Sequence, residues 1–381
     1  MADGVVEGVT HDRYAAVRDV FEANLASGAD LGASFCATVE GETVVDLWGG
    51  WADPAKTRPW TRDTIVNVYS TTKTMTALVA LLVADRGDLD FDAPVARYWP
   101  EFAAGGKAEV KVSHLMSHSA GLSGWQEPIT REDLYDWEKM TRLLAAQTPF
   151  WAPGTAPGYH ALTQGYLVGE VIRRITGKSL GTVFREEIAE PLGADFWIGL
   201  PASEDGRVAE LVPPAPGTTQ AEVRGQTEIQ RNMANNPGIH VDETKTRAWR
   251  GAEIPAAGGT GNARSVAQVH AILANGGVAQ GRRFLSEAGC RKALELQIEG
   301  EDLCLAGPAR FGLGFGLAGG VVPLPNPNAM YWGGYGGSLI IIDMDARTTF
   351  AYAMNRMVGT TQGDTRAFGL AMAMWAALGI G

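Results

Sequence analysis

The chain has 381 residues, long enough for one large mixed domain with a smaller companion. With 45% hydrophobic and 20% charged residues it has the balance of a globular protein, which excludes a disordered or fibrous chain. The formal net charge of -11 comes without any basic run, so neither nucleic acid nor an anionic membrane surface is an expected partner.

Met1–Gly4 shows neither a basic n-region nor an apolar h-region, so no secretory signal is expected and the cytoplasm is the expected compartment. Thr10 can cap a first helix reaching about Ser27, with Tyr14, Val17, Val20, Phe21 and Leu25 on one face. β-Rich runs at 33–39 and 43–48 flank Glu40-Gly41-Glu42, which predicts a hairpin. A helix is predicted from Ser70 to about Arg86, stopped by Gly87. Further helical patterns lie near 111–118, 131–147, 161–176, 182–189, 264–275 and 286–297. Short β-rich runs return at 315–317, 329–332, 338–343 and 348–354, and a last helix is predicted from about Asp364 to Leu378. The C-terminal stretch from Ala367 to Gly381 is the most apolar, yet too short to span a bilayer.

Early and late strands are expected to share one antiparallel sheet flanked by helices, an α/β (α+β) fold. Residues 1–69 and 300–381 would form this sheet domain, and 70–299 a mainly helical lobe, with a cleft between them. Within the lobe, residues 200–262 are rich in Pro, Gly and charge and are expected to wrap the surface. Cys36, Cys290 and Cys304 are far apart and odd in number, so buried thiols are expected rather than disulfides or a metal site.

Three segments carry chemistry. Ser70-Thr71-Thr72-Lys73 is an S-x-x-K motif opening an apolar helix. Positions i and i+3 share a helix face, so the Lys73 amine can reach the Ser70 hydroxyl, and a helix N-terminus offers N–H groups to an oxyanion. A lysine serves as base only if desolvation or a neighbouring cation lowers its pKa. The same four residues also suit an N-cap serine followed by a solvated lysine. In Pro157-Gly158-Tyr159-His160-Ala161, Tyr159 can project its hydroxyl into a cleft, and beside a lysine ammonium its phenol would ionise more easily. In Tyr331-Trp332-Gly333-Gly334-Tyr335-Gly336-Gly337-Ser338, the glycines permit close approach of backbone and ligand. The Tyr335 N–H is the candidate second oxyanion donor, opposite that of Ser70.

Other patterns are better explained structurally. Gly177-Lys178-Ser179-Leu180-Gly181 matches G-x-S-x-G, but a helix precedes it, so Gly177 reads as a C-cap and Ser179 as an N-cap. His114 and His118 lack the Glu of a zinc motif, and His160 stays outside the catalytic set. Gly258-Gly259-Thr260-Gly261 lacks the Lys of a phosphate loop. Asp88-Leu89-Asp90-Phe91-Asp92 alternates acids with apolar residues as a half-buried extended segment does. No cofactor or metal is expected.

In order and spacing the three motifs resemble those of the serine β-lactamase and penicillin-binding protein superfamily. The similarity is greatest to its esterase branch, the family VIII carboxylesterases, which look like class C β-lactamases. Supporting segments are Val44–Gly50, Leu115–Leu122, Thr246–Arg250 and Met354–Met357. The resemblance implies that Ser70 is the acyl-accepting nucleophile, with Lys73 and Tyr159 jointly its proton-transfer partners, and that Trp332, Gly333 and Gly334 bind substrate. Two residues depart from the pattern. Trp332 stands where β-lactamases usually carry Lys or His, and Ala161 where the second motif usually carries Asn. Losing both polar handles points to a permissive apolar pocket. A serine carboxylesterase cleaving short-chain acyl esters is therefore expected, with a small-molecule ester as partner. A β-lactamase or D-amino-acid peptidase, an acyltransferase and a non-catalytic penicillin-binding-like module are the alternatives.

Overall fold

The computed structural model describes residues 5–216 and 227–380. Nine strands build one antiparallel sheet: β1 (Glu7–Thr10), β2 (Gly32–Val39), β3 (Glu42–Gly50), β4 (Ile298–Glu301), β5 (Pro308–Phe311), β6 (Gly316–Leu317), β7 (Ala329–Gly333), β8 (Leu339–Asp343) and β9 (Thr348–Met354). Their order across the sheet is β1-β3-β2-β9-β8-β7-β6-β5-β4, so N-terminal and C-terminal segments meet at the β2–β9 pair. Seven helices of eight or more residues occur among the described residues: α1 (Ala15–Ala26), α2 (Thr72–Asp85), α3 (Trp137–Ala146), α4 (Thr163–Thr176), α5 (Glu228–Asn235), α6 (Ala263–Ala274) and α7 (Thr365–Leu378).

The strands β8 and β9 are buried at every residue, because helices cover both sheet faces. On one face α6 packs against β2, β8 and β9, while α1 and α7 pair on the other side. The C-terminal run is thus a packed helix, capped by the Asp364 carboxylate and ended by Gly379 in the left-handed region. The 264–275 pattern, expected in the helical lobe, lies on the sheet as α6, where Val266, Val269, Ile272 and Leu273 are buried.

Thr10 caps no helix. It ends β1, paired with Val45, and a 3₁₀ turn at Asp12–Tyr14 leads into α1. The 40–42 hairpin forms with Glu40 and Gly41 both at positive φ, as a two-residue turn between twisted strands requires. The strands β1, β4 and β5 were not anticipated, since edge and near-edge strands carry little apolar alternation.

The second lobe is built around α2, which is buried from Thr72 to Val83 and packs against α4 and the short helices Leu180–Phe184 and Glu287–Arg291. Such a helix is apolar all round because it has no solvent face. A small sheet, Val66–Asn67 beside Thr260–Gly261 beside Phe196–Trp197, leads the chain into α2. The 200–262 stretch is more structured than its composition suggests: it holds α5, and Trp249 and Ile254 are buried. Its residues 217–226 lie outside the described residues.

Candidate active site

Ser70 sits in a 3₁₀ turn, Tyr69–Thr71, directly before α2. The small sheet fixes this turn. Val68 N–H donates to Gly259 O at 3.0 Å, and the Asn67 amide donates to Ala257 O at 3.0 Å while accepting from Tyr69 N–H at 3.2 Å. Tyr69 takes a φ of 44°, rare for a bulky residue, and its ring meets Tyr335 edge-on at 5.6 Å. The residue at the α2 N-cap is Thr71, so Ser70 is not spent as a cap.

The Ser70 hydroxyl has two polar neighbours. Lys73 Nζ lies 3.2 Å from Oγ, as the i, i+3 spacing predicts, and the Tyr159 hydroxyl donates to Oγ at 2.5 Å. Lys73 is fully buried, and Nζ also donates to the carbonyls of Ala161 at 2.7 Å and Ala256 at 2.9 Å. It has no ion-pair partner among the described residues. Desolvation holds its pKa well below that of an ordinary lysine.

Tyr159 is buried too, with Lys73 Nζ 4.9 Å above its ring. Burial pushes its phenol up, opposite to the easier ionisation expected beside a lysine cation. Loss of solvation is the largest cause, and the nearby Asp302 carboxylate pushes the same way. His118 and His160 lie behind the tyrosine. His160 N–H donates to His118 Nδ1 at 3.1 Å, and Leu122 N–H donates to His160 Nε2 at 3.0 Å. Burial lowers the pKa of both imidazoles, that of His160 to about 3, so both are neutral struts. Among the described residues no cluster of three or more His, Cys, Asp or Glu is placed to hold a metal.

Of the third motif, only Tyr335 lines the cavity that holds Ser70. The Trp332 ring stacks on His118 at 5.2 Å, packs on Phe311 at 5.5 Å, and borders a recess of about 20 Å³ with Gly333 and Tyr159. It therefore lies behind Tyr159 instead of walling the main cavity. Gly334 lines neither space: a Cβ there would fall 2.1 Å from Val68 O. That glycine lets β7 press against the nucleophile turn, and Ser338 Oγ completes the joint by donating to Val68 O at 2.9 Å. Tyr335 does line the main cavity together with Ser70.

That cavity has a volume of about 310 Å³. Ser70, Tyr159 and Tyr335 line it together with Leu162 and with Met233, Pro237, Ile239 and Trp249 of the 200–262 stretch. Among the described residues no charged side chain lines it. Several participants had no sequence signal. Ala161 and Ala256 act through backbone carbonyls, and Met233 and Ile239 reach the cavity only through tertiary placement. The decoys resolve as structural features: Ser179 caps its helix by accepting from Thr182 N–H, and Gly177 ends α4 at a φ of 70°. The three cysteines are buried free thiols.

A profile of the beta-lactamase family matches residues 17–372. The chain is 37% identical over 369 residues to the esterase/beta-lactamase LipL of Mycobacterium tuberculosis, covering 93% of this chain and 83% of that protein. It is 29% identical to esterase EstB of Burkholderia gladioli, over 85% of this chain and 86% of that one. The crystal structure of a family VIII carboxylesterase superposes with a TM-score of 0.93 at 44% identity, covering 98% of this chain and 100% of the other. With the S-x-x-K serine, buried lysine and tyrosine gathered at one cavity, the chain is a serine hydrolase that belongs to the beta-lactamase family.

Proposed function

We propose that the protein hydrolyses small uncharged esters with short acyl chains through an acyl-enzyme on Ser70. The observation that carries this reading is the pattern of partners around Lys73. A neutral amine has two N–H bonds and one lone pair. The carbonyls of Ala161 and Ala256 take the two N–H bonds, which leaves the lone pair for the Ser70 hydroxyl proton. Burial favours the neutral amine in the resting enzyme.

The reaction follows from this arrangement. Lys73 accepts the Ser70 proton as Oγ attacks the ester carbonyl. The N–H groups of Ser70 and Tyr335 receive the oxyanion as the candidate donors. The C–O bond to the alcohol breaks, and Tyr159, a phenol protonated at rest, donates its proton to the departing oxygen and regains one from the Lys73 ammonium. Water then attacks the acyl-serine with the same groups in reverse, releasing the acid and restoring Ser70.

The uncharged cavity supports an ester over a β-lactam, whose carboxylate would be desolvated there without a cation. The name of EstB, an esterase, agrees with this choice, while LipL bears both names. The test compares p-nitrophenyl acetate and butyrate with a chromogenic cephalosporin, in wild type and Ser70→Ala. Ester turnover that disappears in Ser70→Ala is the expected result. Full activity in that variant would overturn the assignment, and cephalosporin turnover faster than ester turnover would favour the β-lactamase alternative.

A further inference from the structure

Asp302 is 2% exposed and has no ion-pair partner among the described residues. One of its oxygens, Oδ1, accepts three backbone N–H groups: Cys304 at 2.8 Å, Leu305 at 2.8 Å and Tyr159 at 3.1 Å. The other, Oδ2, is buried without a hydrogen-bond partner. The first two bonds are local and close the turn that also joins Ala306 N–H to Asp302 O at 2.9 Å. A turn of this kind needs only a small polar side chain. The third bond crosses to a residue far away in sequence, and that residue is the tyrosine on Ser70. A second tie runs beside it, from Leu303 N–H to Pro157 O at 2.9 Å. The turn so anchored places Cys304 and Leu305 in the cavity wall.

We propose that Asp302 is the positioning residue for Tyr159: its Oδ1 fixes the tyrosine backbone so that the phenol reaches Ser70 Oγ, and it registers the Cys304–Leu305 wall to the same point. The idea rests on the role given to Tyr159 above. The contact between Tyr159 and Ser70 is 2.5 Å long and lies at the end of a long side chain, so a small backbone shift breaks it. A carboxylate is not needed for its charge here; an acceptor oxygen at that one place is needed. The orphaned Oδ2 is the cost of using an aspartate where an amide oxygen would also fit.

The experiment is a double-mutant cycle in the full-length enzyme on p-nitrophenyl butyrate, using Asp302→Ala, Asp302→Asn, Asp302→Glu and Tyr159→Phe. Asp302→Ala is expected to lower kcat about 100-fold, the typical result of misplacing a catalytic group by roughly 1 Å. Asp302→Asn keeps an acceptor oxygen and is expected to stay within a few-fold of wild type, while Asp302→Glu moves the oxygen by one methylene and loses activity as Ala does. In the Tyr159→Phe background, Asp302→Ala should cost no more than about two-fold, because the group it positions is already gone. Equal losses in both backgrounds would overturn the proposal, as would wild-type kcat in Asp302→Ala. If Asp302→Ala does not fold, the Asn and Glu pair decides: equal activities overturn the proposal. Wild-type kcat in Tyr159→Phe alone would instead sink the catalytic role of the tyrosine, an outcome distinct from failure of the Asp302 cycle.

Discussion

Two lysines of this chain, Lys73 and Lys107, are fully buried, and neither is paired with a carboxylate among the described residues. Both resolve the same problem, an amine removed from water, by pointing Nζ at backbone carbonyls. Lys107 reaches three of them: Ala104 O at 2.7 Å, Ala145 O at 3.1 Å and Gln147 O. Lys73 reaches two, with the Ser70 hydroxyl as its third neighbour. The difference is one partner, and it decides the role. A carbonyl only accepts, so three carbonyls call for the three N–H bonds of an ammonium, and Lys107 is a cationic pin between its own loop and the C-terminal end of α3. A hydroxyl also donates, so at Lys73 the third position can be a lone pair, as the proposed role of base requires.

The largest effect should come from Lys73→Met, which keeps the volume and removes the base. It is expected to lower kcat on short esters by about 10³-fold, within the range for a lost general base, and steady-state kinetics would show it. Lys73→Arg should be as inactive, since a guanidinium never deprotonates. Activity in the arginine variant would break the comparison, because a permanent cation would then be serving at that place. Next in size is Lys107→Met, with the opposite signature. It leaves three buried carbonyls without a donor and should destabilise by about 3 kcal/mol in urea unfolding, while kcat of the folded fraction stays at its wild-type value.

The two lysines should also separate by pH. Activity needs Lys73 neutral, so kcat/KM is lost as pH falls through its lowered pKa and is already full well below the usual lysine range. His160, which burial lowers to about 3, titrates far below neutral pH. A limb near the normal lysine pKa would refute the neutral-amine resting state. At Lys107 burial lowers the pKa to about 8, so above that pH the unfolded chain holds a proton the folded one has shed. Stability contributed by this group should therefore rise gently from about 8 to about 10.5, a slope that Lys107→Met abolishes in urea melts. The smallest effect belongs to the mounting of the serine. Ser338→Ala removes the bond to Val68 O and should cost about 1 kcal/mol of stability with a few-fold loss in kcat.

The contrast between the lysines also shows what a sequence carries. Ser70 and Lys73 were legible because their meeting is local, set by helix periodicity, and Tyr159 because a Pro-Gly turn before a helix is local too. The central strands 33–39 and 348–354 announced themselves as long apolar runs, since both sheet faces are covered. By contrast, nothing local marks Lys107 as buried, nor Ala256 as the owner of a carbonyl that Lys73 needs, because both contacts join segments distant in sequence. Trp332 was found as part of a motif, but its neighbours were not. Its stacking on His118 depends on how β7 sits against the helical lobe, which no short pattern encodes. Thr10 was misread because β1 runs on to it and the turn into α1 begins only at Asp12.

The uncharged cavity has a kinetic consequence. Charged clefts gather substrate through long-range fields, and their capture rates fall steeply as salt is added. Here the described residues of the lining carry no formal charge, while the molecule as a whole carries -11. Capture of a neutral ester should then proceed at an unsteered diffusive rate that added salt leaves nearly unchanged. An anionic ester should meet a repulsive field on approach, and its kcat/KM should increase with ionic strength as that field is screened.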